Sequence, residues 1–185
     1  TVGTDTEGNS IVETLGDATP DFRMGFSNDF TFGPFAFRSL FDWAQGNSVI
    51  NLTRLLADAG QNTVDYTTPV FCPAFDTEMG AGECRISTAF GAGDIRPYVE
   101  DASYVKLREL ALEYHLPASL LERMLGGSVV DASVVLSGRD LYTWTDYTGV
   151  DPEVSNFGNQ PIARNIDVAP YPPSRSYWLS MRVTF

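Results

Sequence analysis

The residues of this sequence that could bind a metal ion are three oxygen-bearing side chains near its start. Asp5, Glu7 and Asn9 stand at alternate positions, which is loosely the spacing of the ligands in a calcium-binding loop. The competing interpretation is an ordinary turn at Gly8-Asn9. We favour the turn and predict no metal site and no cofactor, with Asp5, Glu7 and Asn9, joined by Glu13, as the calcium candidates of the alternative.

Side chains that act as acids, bases or nucleophiles in enzymes form no catalytic pattern. Asp42, Asp151 and Glu153 make no recognisable acid–base pair. The single histidine, His115, precedes a Leu-Pro pair, where a structural role is expected. The sequence contains no phosphate-binding loop, no CxxC pair and no Ser–His–Asp order. We expect no catalytic residues and a protein that is not an enzyme.

The two cysteines, Cys72 and Cys84, lie in a segment rich in Gly and Pro. A metal pair is disfavoured because no histidine lies near them. A disulfide suits an oxidising compartment, and two free thiols are the alternative. We predict the disulfide between Cys72 and Cys84.

Composition and charge exclude several kinds of partner. The net charge is −12 and the pI is near 4.3, which argues against nucleic acid and against docking on an anionic membrane surface. Hydrophobic residues make up 43% of the chain, aromatic residues 12% and charged residues only 19%. No apolar run is long enough for a transmembrane helix. The absence of a signal peptide and of a starting Met favours a processed chain or part of a longer one.

Alternation of apolar and polar residues is the dominant pattern, and it predicts β-strands. It is clearest at the end of the chain, where the residues that share the apolar face are Tyr177, Leu179, Met181, Val183 and Phe185. The same pattern predicts strands at about 22–32, 35–43, 98–116, 129–142 and 174–185.

Two predicted strands contain irregularities. The apolar phase changes between Leu107 and Leu110, which predicts a β-bulge near Arg108 and Glu109. In the strand at 129–142, Asp140 falls on the apolar side of the alternation, whereas two apolar residues fall on the polar side, namely Val135 and Leu141.

The connections and the aromatic residues favour a membrane barrel over a soluble sandwich, which also alternates. Short connections at Gly33-Pro34 and in the helical segment 117–127 alternate with long ones at 46–97 and 144–173, as in outer-membrane barrels. Aromatic residues cluster near the strand ends, as girdles at a membrane interface require. The predicted fold class is all-β, an antiparallel transmembrane-type β-barrel segment of about five strands, with long extracellular loops and one short periplasmic helical turn.

Several stretches stand in a particular order over most of the chain. They begin with Pro20-Asp21-Phe22, Gly25-Phe26-Ser27-Asn28 and Phe41-Asp42-Trp43-Ala44-Gln45-Gly46. They continue with the run from Tyr98 to Leu110, Tyr114-His-Leu-Pro117, the run from Leu136 to Thr145, and Tyr147-Thr-Gly-Val-Asp-Pro-Glu-Val154. In this order they resemble the C-terminal region of SusC/RagA-type TonB-linked outer-membrane receptors. Asp140 stands where this family usually has Asn. The terminal Phe185 on an alternating strand resembles the signal that the barrel-assembly machinery recognises.

The resemblance implies that residues 1–185 are the C-terminal part of a barrel domain, without a plug domain or a TonB-contacting segment. The whole receptor would import bulky nutrients such as oligosaccharides or peptides across the bacterial outer membrane, with energy from TonB and a SusD-like lipoprotein as lid. The open strand edges would pair with the rest of the barrel. The alternative is a fragment whose copies pair with each other into an extracellular oligomer or filament of structural role.

Overall fold

The computed structural model describes residues 3–4, 7, 10–11, 13–125, 128–153, 165–171 and 173–185. These residues are mostly strand with a few short helices. The elements are β1 (Gly3–Thr4), β2 (Ser10–Ile11), β3 (Phe22–Phe32), β4 (Phe35–Gln45), β5 (Ser48–Asn51), α1 (Leu52–Ala59), β6 (Pro69–Cys72), β7 (Thr77–Gly80), α2 (Ala81–Gly91), a 3₁₀ turn (Arg96–Tyr98), β8 (Val99–Asp101), β9 (Tyr104–His115), α3 (Ala118–Leu125), β10 (Asp131–Thr145), β11 (Ile166–Asp167) and β12 (Ser176–Thr184).

The chain divides into two compact units. The first, which we call the sheet unit, contains residues 22–44, 104–145 and 173–185. The second, the loop unit, contains residues 1–21, 45–103 and 146–172. The loop unit therefore contains nearly all of the two long connections that the sequence predicts, 46–97 and 144–173. It also carries most of the acidic residues of the chain.

The sheet unit is a five-stranded sheet in the order β12-β10-β9-β4-β3. The pairs β12–β10, β10–β9 and β9–β4 are antiparallel, and the two-residue connection Gly33-Pro34 makes β3 and β4 a hairpin. Gly33 has φ +56°, and a glycine followed by proline, whose φ is fixed negative, suits a type II′ turn. All five strands predicted from alternation are present.

The structure corrects one of those strands. The segment predicted as a strand from 98 to 116 is broken at Ala102-Ser103. Its first part is the 3₁₀ turn and β8, which pairs with β5 in the loop unit.

The predicted bulge is confirmed at Arg108. Leu40 pairs with Glu109 and Phe41 with Leu107, so Arg108 is an extra residue on β9. The neighbouring strand β10 has a register shift between Arg139 and Tyr142.

The shift in β10 reverses the faces that alternation assigned to Asp140 and Leu141. Asp140 has φ +51°, and its carboxylate accepts from the Arg108 guanidinium at 3.4 Å. A Cβ built on Gly138 would lie 2.7 Å from the side chain of Leu141, so Leu141 lies on the apolar face with Gly138. The bulge thus moves the charged residue to the polar face and the leucine to the apolar face.

The loop unit has its own small core. Its three-stranded sheet has the order β11-β5-β8, with β11 parallel and β8 antiparallel to β5. Val49, Ala102 and Tyr147 form the core cluster. Asn51 caps the short helix α1 by accepting from the Arg54 N–H at 2.8 Å. Among the described residues, no helix has the length and apolar character needed to cross a bilayer.

The predicted disulfide is confirmed. Cys72 at the end of β6 and Cys84 in α2 are bonded, and their Cα atoms are 5.6 Å apart. The bond ties the β6–β7 hairpin to α2, and Cys72 is fully buried.

We expect the double change Cys72→Ser and Cys84→Ser to destabilise the loop unit by about 3 kcal/mol, because the crosslink closes a short loop and restricts the unfolded chain. Urea unfolding of the loop unit with and without the substitutions, in the intact receptor, measures this difference. An unchanged midpoint would show that the hairpin is held by its other contacts.

Candidate functional site

The two faces of the sheet unit differ sharply in chemistry. The register places apolar residues of neighbouring strands side by side on one face, as the pairs Phe35–Tyr114, Phe37–Leu112, Phe41–Leu107 and Trp43–Val105 show. Across β10 and β12 the same face continues with the pairs Val134–Met181 and Leu136–Leu179. We call this surface the apolar face and the opposite one the polar face.

The apolar face is exposed along the last strand. Tyr177, Leu179 and Met181 are 70%, 76% and 72% exposed, and Phe185 is also exposed. A soluble sandwich would bury these side chains beneath a second sheet. The structure therefore contradicts the sandwich interpretation, and the exposed stripe is larger than a soluble surface normally tolerates.

Aromatic rings lie in two rows on the apolar face. At the hairpin end, the rings of Phe35 and Tyr114 are 4.9 Å apart. Towards the other end, Phe22 and Trp43 make an edge-to-face pair at 5.0 Å. Another pair there, at 4.7 Å, is formed by Tyr142 and Trp144.

The distance between the rows fits a membrane. Phe35 and Trp43 are about 27 Å apart along β4 at the ordinary strand rise. With a strand tilt of about 40°, the rows are roughly 20 Å apart along the membrane normal, close to the apolar band of outer-membrane barrels. The pair Tyr142–Trp144 belongs to one of these rows, which favours a role at the membrane interface.

The polar face carries ion pairs. The Arg108 guanidinium lies 2.8 Å from the Asp42 carboxylate and 3.4 Å from Asp140. The Tyr104 hydroxyl is 3.4 Å from Asp42 and accepts from Arg23 at 3.0 Å. These contacts suit a wet or protein-filled interior, and they leave Asp42 as an ion-pair partner and not as an acid or base.

The loop unit is organised around one buried carboxylate. Asp58 of α1 is fully buried. It accepts two hydrogen bonds from Arg85 of α2, at 2.8 and 2.9 Å, and one from the Tyr98 hydroxyl at 2.9 Å. Thr63 donates a further hydrogen bond at 2.5 Å. Burial raises the pKa of Asp58, but the hydrogen bonds outweigh it and hold the pKa below its usual value.

Arg85 joins Asp58 to a second carboxylate. Its guanidinium donates to both oxygens of Asp65, at 2.8 and 2.9 Å. The hydrogen bonds from Arg85 lower the pKa of Asp65 to about 2. Burial and the bond to Asp58 raise the pKa of the Tyr98 hydroxyl. One arginine therefore connects α1, α2 and the segment between α1 and β6. This cluster has no local sequence signature, because its members are far apart in the chain.

A second buried carboxylate, Asp167 of β11, fixes the last long segment within the loop unit. It accepts hydrogen bonds from the hydroxyls of Tyr147 and Thr53. Burial, with the bond to Asp167, raises the pKa of Tyr147. Tyr147 is therefore a core residue of the loop unit, and its ring is not exposed to solvent.

The calcium candidates are not brought into a described site. Asp5 and Asn9 lie outside the described residues, and Glu7 lies in a turn. In the part of the chain that the structure describes, no group of three or more His, Cys, Asp or Glu side chains is arranged to hold a metal ion. Calcium binding by Asp5, Glu7 and Asn9 stays the untested alternative to a turn.

Comparison with known sequences identifies relatives along nearly the whole chain. TonB-dependent receptor P3 and TonB-dependent receptor P26 of Formosa agariphila are each 32% identical to it over 98% of its length. The chain spans only 18% and 19% of these relatives' own lengths. The relatives are named as receptors, in agreement with the expectation that the protein is not an enzyme. No protein-family model matches the chain.

Solved structures show the same fold. The RagAB peptide transporter superposes on the whole chain with a TM-score of 0.63 at 21% identity, and the chain covers 19% of that structure's chain. The RagAB peptide importer in its closed-closed state gives 0.61, also at 21% identity, over 99% of this chain and 20% of that one. The relatives named TonB-dependent receptors, and the fold shared with part of the RagAB chains, together support the identification of this chain as a C-terminal fragment of a SusC/RagA-like receptor.

Proposed function

We propose that the chain forms part of the wall of an outer-membrane β-barrel that imports bulky nutrients with energy from TonB. Residues 1–185 would all belong to the barrel domain, and the strands that close the barrel, together with the plug, would come from residues outside this chain. The apolar face would contact lipid, and the polar face would line the interior. The last strand would end on the periplasmic side, which puts the loop unit outside the cell.

The observation that carries this proposal is the exposed apolar stripe of β12 with charged and hydroxyl side chains on the reverse of the same sheet. An exposed stripe of this kind is stable where lipid covers it, and lipid also requires that every strand edge is paired. The outer strands β3 and β12 would therefore pair with further strands of the same receptor. The alternating stripe ending at Phe185 would also serve as the barrel-assembly signal.

The substrate class and partners follow from the relatives. RagAB is named a peptide importer, which supports peptides as cargo, and oligosaccharides are the other class that the family resemblance implies. A SusD-like lipoprotein would close over the loop unit as a lid, and TonB would act on a segment outside this chain.

Uptake measurements test the importer. Cells that carry the intact receptor should accumulate a fluorescent peptide or oligosaccharide, and accumulation should stop when TonB is deleted. Cells that lack only this receptor should lose uptake of the same compound. Uptake that persists without the receptor, for every peptide and oligosaccharide tested, would contradict the proposal.

The alternative function is a structural assembly of this fragment alone. The two outer strands, β3 and β12, favour it, because each pairs with only one neighbour within the described part of the chain. The mass of the polypeptide in the native membrane separates the two functions. An ordered assembly of chains near 20.3 kDa would support the fragment. A polypeptide several times heavier that also yields plug peptides would support the receptor.

A further inference from the structure

The short helix α3 begins where the strand pair β9–β10 ends. The Leu116 N–H donates to the Ala132 carbonyl at 2.9 Å, which extends the ladder one residue beyond β9. Side chains alternate along a strand, so Leu116 shares the face of Tyr114, and Ala132 shares the face of Val134. Both residues therefore lie on the apolar face.

α3 packs against this apolar face and not against the polar one. Leu121 of α3 is only 4% exposed and forms a cluster with Val129 and Ala132, against which Leu116 packs. The helix therefore covers one end of the surface that we propose to contact lipid.

The exposure of the last strand agrees with this position. Along the apolar stripe of β12, exposure falls from 72% at Met181 to 37% at Val183. Val183 is the residue that pairs with Ala132, beneath α3. The decrease therefore occurs where the helix lies.

The remaining surface of α3 is amphipathic. Successive residues of a helix are about 100° apart, so Leu120 flanks the side that faces the sheet. Leu120 is 40% exposed. The charged pair Glu122 and Arg123 is exposed. Glu122 lies about 160° around the helix from Leu120, and Arg123 lies about 60° from it, so the long arginine side chain must reach out towards the headgroups. The two charges cancel, so binding of the helix to a membrane would not require anionic lipids.

We propose that α3 is an interfacial helix that lies in the headgroup region of the periplasmic leaflet. Leu120 would enter the acyl boundary, and Glu122 and Arg123 would lie among zwitterionic headgroups. The inference rests on the proposed membrane location, because the helix is continuous with the apolar face. The aromatic row of Phe35 and Tyr114 marks the depth of the helix in the membrane, because Tyr114 lies two residues before Leu116 and aromatic rows lie at the membrane interface.

Depth-dependent fluorescence quenching tests the position. Single cysteines are introduced into the intact receptor as Leu120→Cys, Glu122→Cys and Leu179→Cys, and each is labelled with the same fluorophore while the native disulfide stays oxidised. Each receptor is reconstituted in vesicles of phosphatidylethanolamine and phosphatidylglycerol. The quenchers are a lipid with a nitroxide near its headgroup, a lipid with a nitroxide near its chain end, and iodide in water. Heat-modifiable migration in electrophoresis confirms that each labelled barrel is folded.

The headgroup nitroxide should quench the label at Leu120 at least about twice as strongly as the label at Glu122. Iodide should quench the label at Glu122, because that side of the helix faces water. The label at Leu179 should respond most to the chain-end nitroxide. If Leu179 behaves so but iodide quenches Leu120 as strongly as Glu122, the helix is not interfacial and only this inference fails. If neither lipid nitroxide quenches Leu179, the membrane location itself is wrong.

Discussion

Changing Leu179 and Met181 together to Arg should remove most of the folded receptor from the membrane. Both side chains lie in the middle of β12, on the apolar face, and are more than two-thirds exposed. An arginine on the lipid face near the bilayer midplane costs about 2–4 kcal/mol, so two of them cost more than either change alone. The measurement is the amount of heat-modifiable receptor in purified outer membranes.

The matched control adds the same two charges to the other face of the same strand. Ser180 and Thr184 lie on the polar face, where Arg182 already stands, and Thr184 pairs with Asp131. Changing both to Arg should leave most of the folded receptor in place. Equal loss from the two double variants would show that the faces of β12 do not differ in environment, and the lipid-facing assignment would then be wrong.

Changing Arg85 to Met should open the loop unit while the barrel strands stay folded. Methionine keeps much of the length of the side chain but leaves the Asp58 carboxylate, which is fully buried, without its charge partner. Removing one partner of a buried ion pair costs about 3–5 kcal/mol. Amide hydrogen exchange in α1 and α2 of the intact receptor should therefore accelerate roughly a hundred-fold or more.

Arg96 provides the control, because its ion pair with Asp94 lies on the surface of the same unit. The change Arg96→Met should cost less than about 1 kcal/mol. Adding Asp58→Asn to Arg85→Met should recover part of the loss, since a neutral amide needs no counter-charge. The proposed role of Arg85 would be refuted by equal exchange rates in the two single variants.

The ion cluster also has a defined pH dependence. The folded-state pKa values of Asp58 and Asp65 lie below their usual values, and that of Asp65 is about 2. Their contribution to stability is complete above the unfolded pKa of about 4. It is lost as the pH falls through the folded values, so the same exchange measurement should show the loop unit weakening between about pH 4 and pH 2.

Local patterns in the sequence determined the strands of the sheet unit and their two faces. Period-two alternation suffices for this, because a strand with one face in lipid and one in an aqueous interior must alternate residue by residue. Alternation predicted the stripe from Tyr177 to Phe185 and the bulge at Arg108, and the presence of only two cysteines predicted the disulfide between Cys72 and Cys84. The stripe and the bulge depend on residues that are near each other in the chain. The disulfide has only one possible pairing, because the chain has two cysteines.

Only the tertiary structure decided how the long connections are organised. Their common core, and the cluster in which Arg85 holds Asp58 and Asp65, depend on residues that are separated by tens of positions and follow no period. The break at Ala102-Ser103 and the exchange of faces between Asp140 and Leu141 depend on pairing with neighbouring strands. Alternation predicts only whether a side chain lies in an apolar or a polar environment. It does not predict which distant segment of the chain forms that environment.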